Sequence, residues 1–263
     1  MSNVNLVDTH AHLDMISSNE EKIAQVLERA RDEGVGMVIT VGIDLDSSKK
    51  ACSLAKRFSN VFASVGIHPN DAKTFSEEAQ KELDLLAADD RVVAWGEIGL
   101  DFYRDRTPRQ VQMEAFTAQL ESAASRGLPV IIHAREAVDE CIDVIGQFST
   151  GKGLRGVFHC FSGDRAAAKR VLDLGFYISF TGVITFPKAE AVRDVADYVP
   201  IDRVLIETDA PFLSPVPFRG KQNEPARVRY VAETLAQVKK MDFSEVAKWT
   251  TNNAVALFGL PEQ

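Results

Sequence analysis

"NLVDTHAHLD", residues 5–14, is the stretch on which the fold turns. Leu6 and Val7 read as a short buried strand. A strand turns alternate side chains to one face, so Asp8, His10 and His12 point the same way. Two imidazoles beside a carboxylate suit a metal site, and they equally suit solvated polar residues closing a strand. What does not follow is also informative. A doubly wound open sheet usually places a glycine-rich nucleotide loop after its first strand, and no GxGxxG follows this one.

Further runs of the same kind lie downstream: "VGMVITVG", "VFASVGIHP", "VVAWGEIGLD", "LPVIIHA", "GVFHCF", "FYISFTGV" and "RVLIETDAP". With the first they make eight. Their Val, Ile and Phe content, with little polar alternation, suits parallel strands buried on both faces. Helical stretches separate them. Ser18 with Glu21 spells a capping box ahead of a helix that Gly34 closes. Thr107-Pro108 puts a proline at the first position of a helix that Gly127 stops. Others fall near 46–58, 76–88, 136–148, 164–173 and 188–198, and two more, near 224–240 and 244–257, follow the eighth strand. No linker tract or repeat breaks the rhythm. The expectation is an α/β protein with one domain over residues 1–263, a (β/α)8 TIM barrel with extra C-terminal helices.

The bulk composition is that of a soluble globule, 45% hydrophobic and 26% charged. No apolar run approaches the ~18 residues of a membrane helix. The amino terminus has Asp8 and His10 where a secretory signal would carry basic and apolar residues. Cys52, Cys141 and Cys160 are scattered and outside any CxxC pair, which fits a reducing cytosol. A cytoplasmic protein with no membrane contact and no obligate protein partner is expected. The net charge of −8 repels polyanions at long range, so any nucleic-acid substrate must be drawn by a local site.

Barrel active sites form at the carboxyl ends of the strands. His10 and His12 leave strand one, His68 strand three, His133 strand five and His159 strand six; Glu97 ends strand four and Asp209 strand eight. All five histidines of the chain fall at strand ends. Glu97, between Gly96 and Gly99, would be a buried carboxylate, which costs several kcal/mol without a cationic partner. Glu207 stands two residues before Asp209, on the same face. His68 also reads as a loop histidine held by a carbonyl. Four imidazoles and two carboxylates exceed what one tetrahedral ion needs. Two divalent ions bridged by Glu97 would use them all, with His10, His12 and Asp209 on one and His133 and His159 on the other. Such a cluster would carry +2 and attract a phosphate.

The chain resembles the TatD family of metal-dependent hydrolases, within the amidohydrolase-like barrels. The likeness runs through "DTHAHLD" (8–14), "GIHPN" (66–70), "GEIGLDFY" (96–103), "PVIIHAR" (129–135), "HCFSG" (159–163), "ETDAPFL" (207–213) and "RGKQNEPARV" (219–228). It implies a two-metal phosphodiesterase acting on DNA or a related phosphate ester, a deoxyribonuclease of the 3′-5′ exonuclease kind, and metal roles for His10, His12, Glu97, His133, His159 and Asp209. Asp209 is then expected to accept the proton of the attacking water and Asp8 to orient an imidazole. His68 and Arg135 are expected on the scissile phosphate, with Arg219 and Lys221, in a basic loop that also holds Arg227, on the next one. The substrate would be nucleic acid, single-stranded DNA ends above all. Histidine-rich ligation suits Zn, Mn, Fe or Ni better than Mg, whereas the resemblance points to Mg or Mn. A competing reading is an amide or ester hydrolase on the same barrel, such as a D-aminoacyl-tRNA deacylase or a lactonase. Glu97, where many binuclear amidohydrolases use a carboxylated lysine, and Arg135 favour the phosphate.

Overall fold

A computed structural model describes residues 5–104, 106–149 and 153–262. Eight parallel strands form one sheet in chain order: β1 (Leu6–Ala11), β2 (Val35–Val41), β3 (Val61–Val65), β4 (Val92–Asp101), β5 (Val130–Arg135), β6 (Gly156–Phe158), β7 (Tyr177–Phe180) and β8 (Val204–Ile206). Helices alternate with them, and two more, Val228–Lys239 and Phe243–Phe258, follow β8. The fold is the (β/α)8 barrel that the strand count implies. The ring closes just past β8, where Ala11 pairs in parallel with Ala210. There the Asp209 N–H donates to the His10 carbonyl at 2.8 Å and the His12 N–H to the Ala210 carbonyl at 2.7 Å.

Because strand side chains alternate, the barrel has two apolar layers. One lies between the sheet and the surrounding helices, where Leu6, Val38, Trp95 and Ile132 meet Phe116 and Leu120. The other joins Val7, Ile39, Ile131, Val157 and Leu205 to Leu257 and Phe258 of the last helix. Asn253 of that helix donates to the Val204 and Ile201 carbonyls, both at 2.8 Å. The C-terminal helix therefore supports the barrel beneath the polar ends of the strands.

The differences from the sequence reading are local. The helix Glu20–Asp32 is capped by Asn19, whose side chain accepts from the N–H groups of Glu21 and Lys22, and not by Ser18. Pro108 is the cap of Arg109–Arg126 and not its first residue. β6 and β8 are only three residues long, and after β7 Thr181 caps a 3-10 turn, Gly182–Thr185. β4 continues four residues past Glu97. The three cysteines are free. Among the described residues, no helix is long and apolar enough to cross a membrane.

Gly99 of β4 leaves no room for a side chain against β5. It pairs with His133, and a Cβ there would lie 2.0 Å from the His133 carbonyl oxygen, at a φ of +139° that favours glycine. We expect Gly99→Ala to cost roughly 3 kcal/mol or more. Urea unfolding measures this, and a loss within ~0.5 kcal/mol would show that the strands can part there at little cost.

Candidate metal centre

Glu97 lies at the middle of the cluster. Its Oε1 is 2.7 Å from His133 Nδ1, 2.9 Å from His159 Nε2 and 3.5 Å from His68 Nε2. Its Oε2 is 3.4 Å from His10 Nε2 and 3.9 Å from His12 Nε2. One carboxylate thus reaches all five histidines. Asp209 adds Oδ1 at 3.4 Å from His12 Nε2 and 3.8 Å from His10 Nε2. It holds a φ of +54°, a left-handed conformation sparsely used by non-glycine residues, directly beside the bond that closes the ring. Six of the expected site residues and His68 therefore converge at one end of the barrel.

The second nitrogen of each ring decides what it offers to the centre. His12 Nδ1 lies 3.0 Å from the Val41 carbonyl, so it carries the proton and Nε2 presents a lone pair inward. His159 Nδ1 is 3.3 Å from Glu207 Oε1, and His133 Nε2 is 3.4 Å from Asp101 Oδ2. These carboxylates are the nearest acceptors, but neither outer nitrogen completes a hydrogen bond to one. His68 is the reverse case. Its Nδ1 accepts the Asn70 N–H at 3.0 Å, so the neutral ring carries its proton on Nε2, facing the cleft.

Three sets of atoms are close enough to share an ion: His10, His12 and Asp209; His10, Glu97 and His159; and His68, Glu97 and His133. The donor set fits divalent cations. Imidazole nitrogens face one another at 3.3 Å twice, His10 against His12 and His133 against His159, an arrangement that a cation between lone pairs relieves. His10, His12, His133, His159, Glu97 and Asp209 would hold it. His68, with its proton turned inward, is the member least suited to do so.

The electrostatics agree. Burial would raise the Glu97 carboxyl, but the charge of His159 and bonds from His10 and His133 hold it well below the usual range. Burial disfavours charge on His159, yet Glu97 and Glu207 hold it well above its ordinary value. Asp209 is also lowered against its burial by His12 and His10. Burial and the neighbouring His133 push His68 down to about 3, so it stays neutral.

Two acids outside the expected ligand set support this cluster: Asp101, which the sequence did not single out, and Glu207. Asp101 is fully buried and is fixed by the N–H groups of Tyr103 and Arg104 and by Asn70. Glu207 also accepts the Cys160 N–H at 2.7 Å. Asp8 does not orient an imidazole, contrary to expectation. It accepts the Thr208 N–H at 2.8 Å, pairs with the Thr208 hydroxyl at 2.6 Å, and leaves His10 Nδ1 without a partner among the described residues. Burial pushes Asp8 up to about 8.

Above the cluster opens a cleft of about 700 Å³. Arg135 lines it, its guanidinium 4.0 Å from the centroid of the Tyr103 ring. Arg104 and Arg106 line the same wall. Arg219 and Lys221 are exposed on the loop after β8 and are not among the lining residues; Arg219 lies over Phe186.

The sequence profile of the TatD-related DNases matches residues 7–259. The chain belongs to this family. It is 40% identical to the uncharacterized metal-dependent hydrolase YabD of Bacillus subtilis, over 96% of this chain and 98% of the relative. A protein named 3′-5′ ssDNA/RNA exonuclease TatD, from Cronobacter sakazakii, is 34% identical over 89% of this chain and 90% of its own. The crystal structure of the TatD homologue YJJV from Escherichia coli superposes with a TM-score of 0.92 at 30% identity, covering 98% of this chain and 100% of that one. This TatD-family chain is accordingly a metal-dependent hydrolase.

A cation needs the neutral form of His159, whereas the metal-free site favours its protonated form. Metal binding should therefore release a proton and tighten as pH rises toward the raised pKa of His159. Calorimetry with Mn or Zn in two buffers of different ionisation heat reads this directly. A binding heat independent of buffer would contradict it.

Proposed function

We propose that this TatD-family hydrolase cleaves phosphodiester bonds of nucleic acid with two divalent cations, removing nucleotides from single-stranded 3′ ends. The observation that carries the reading is the division of labour among the five histidines. Four can turn lone pairs to a cation, while His68, 3.5 Å from Glu97 through Nε2, turns an N–H toward the cleft that Arg135 also lines. An N–H donor and an arginine facing a cationic centre suit the anionic oxygens of a phosphate. A neutral amide or lactone offers no comparable charge. The Cronobacter relative, named as a 3′-5′ ssDNA/RNA exonuclease, supports the substrate class.

Bound at these residues, divalent ions such as Mg, Mn or Zn would acidify a water and offset charge at phosphorus. The chain's own groups do the rest. Asp209 is held ionised, with its carboxylate 15% exposed to the cleft, and takes the proton of the attacking water. Glu97 keeps the ligands in register. His68 Nε2–H donates to a non-bridging oxygen, and Arg135, braced on Tyr103, orients the same phosphate. The one barrel carries the whole activity. The three free cysteines fit a reducing compartment, the cytoplasm.

End-labelled single-stranded DNA, RNA and a D-aminoacyl-tRNA, each incubated with Mg, Mn and Zn, separate the readings. Stepwise shortening from the 3′ end is expected, with the aminoacyl ester intact; ester cleavage without shortening would refute the proposal. Asp209→Asn should lower kcat by at least ~10²-fold, the scale of lost general-base help. A rise in KM with kcat preserved would place the proton acceptor elsewhere.

A further inference from the structure

The cleft has two unlike walls, and the barrel order sets them across from each other. One wall comes from the loop after β4, with Arg104 and Arg106, and from Arg135 at the end of β5. The other comes from the segments after β8 and β1, with Phe212, Leu213 and Met15. In an eight-strand ring, β4 lies opposite β8. The metal cluster forms the floor between.

The arginine wall has charge to spare. Among the described residues, neither Arg106 nor Arg135 has a carboxylate within 4.0 Å. Arg104 reaches only Asp101, at 3.9 Å, and that carboxylate is already engaged with His133 and Asn70. Among the described residues that line this side of the cleft, Asp71 is the other acid, and Arg106 acts on it only at a distance.

The opposite wall presents an aromatic ring to solvent. Phe212 is 51% exposed, with its ring edge-on to His12 at a centroid distance of 6.2 Å. Its backbone is pinned. The Phe212 N–H donates to the Asp209 carbonyl at 2.8 Å, and its carbonyl accepts from the side chain of the fully buried Asn223 at 2.7 Å. Asn223 also donates to the Thr208 carbonyl at 3.0 Å. An exposed ring on an immobilised backbone loses little entropy when a flat partner settles on it.

We infer that the cleft is a two-walled nucleotide subsite, in which Phe212 stacks the base of the terminal nucleotide and Arg104 and Arg106 hold backbone phosphates next to the scissile one. The inference rests on the phosphodiester reading above and adds the substrate's orientation to it. Stacking tolerates any base because every base has a π-face, so the site would be indifferent to sequence. Few phosphates are gripped, which suits a short end and not a long duplex on an acidic protein.

The test measures binding, separately from cleavage. Fluorescence anisotropy would follow a labelled phosphorothioate oligothymidine on the Mn-loaded protein over a range of salt, beside the same strand with an abasic 3′ terminus. Arg104→Ala/Arg106→Ala should make the slope of log K against log salt shallower by about 0.7 to 1.4, one to two single-strand phosphates. Phe212→Ala should weaken the intact strand about 5- to 150-fold with the slope unchanged. It should weaken the abasic strand far less. An unchanged slope in the arginine variant, or equal weakening of both strands by Phe212→Ala, would overturn the inference. Wild-type protein that binds as described but shortens no cleavable strand would refute the nuclease reading alone; wild-type protein that binds no strand would overturn both.

Discussion

The carboxylate of Glu97 is the constraint around which the site is arranged. It is almost wholly buried, and burial of an unpaired charge costs several kcal/mol. The fold answers by bringing imidazoles from β1, β3, β5 and β6 to its two oxygens. No single neighbour does this. It takes a closed ring, in which strands distant in sequence point their ends at one axis. Without a cation, a proton on His159 supplies the balancing charge; with one, that proton leaves.

Closure and site formation are coupled by the same residues. The backbone of His10 and His12 hydrogen-bonds to that of Asp209 and Ala210, joining the first strand to the last. Their side chains are the His10, His12 and Asp209 ligand set. Any loosening of the seam between β1 and β8 therefore spreads the ligands as well. Asp8 and Thr208 reinforce the seam one layer below, which accounts for a buried carboxyl that faces no imidazole.

Much of this was legible in the sequence, for a physical reason. Rare polar residues following buried apolar runs must lie at strand ends, and strand ends of a barrel converge. That logic placed His10, His12, Glu97, His133, His159 and Asp209 together. It did not fix depth. Asp8 is on the correct face but two residues down, roughly 7 Å at the usual strand rise, and there it meets Thr208, just past β8, instead of a ring. Asp101 was readable too, since it follows Glu97 at an even spacing on a strand that continues past it. The loops were not readable. Arg219 and Lys221 stand out because they are dense in sequence, whereas Arg104 and Arg106 reach the cleft through a turn that no periodicity announces.

The most direct test of this account is the metal content of Glu97→Gln, a substitution that keeps the side chain's size and removes its charge. The purified variant and the wild type would be loaded with Mn or Zn, desalted and analysed for bound metal, with circular dichroism recorded on the same samples. The wild type should retain metal in stoichiometric amount, and the variant, still folded, should not. A folded variant that holds as much metal as the wild type would contradict the central place given to this carboxylate.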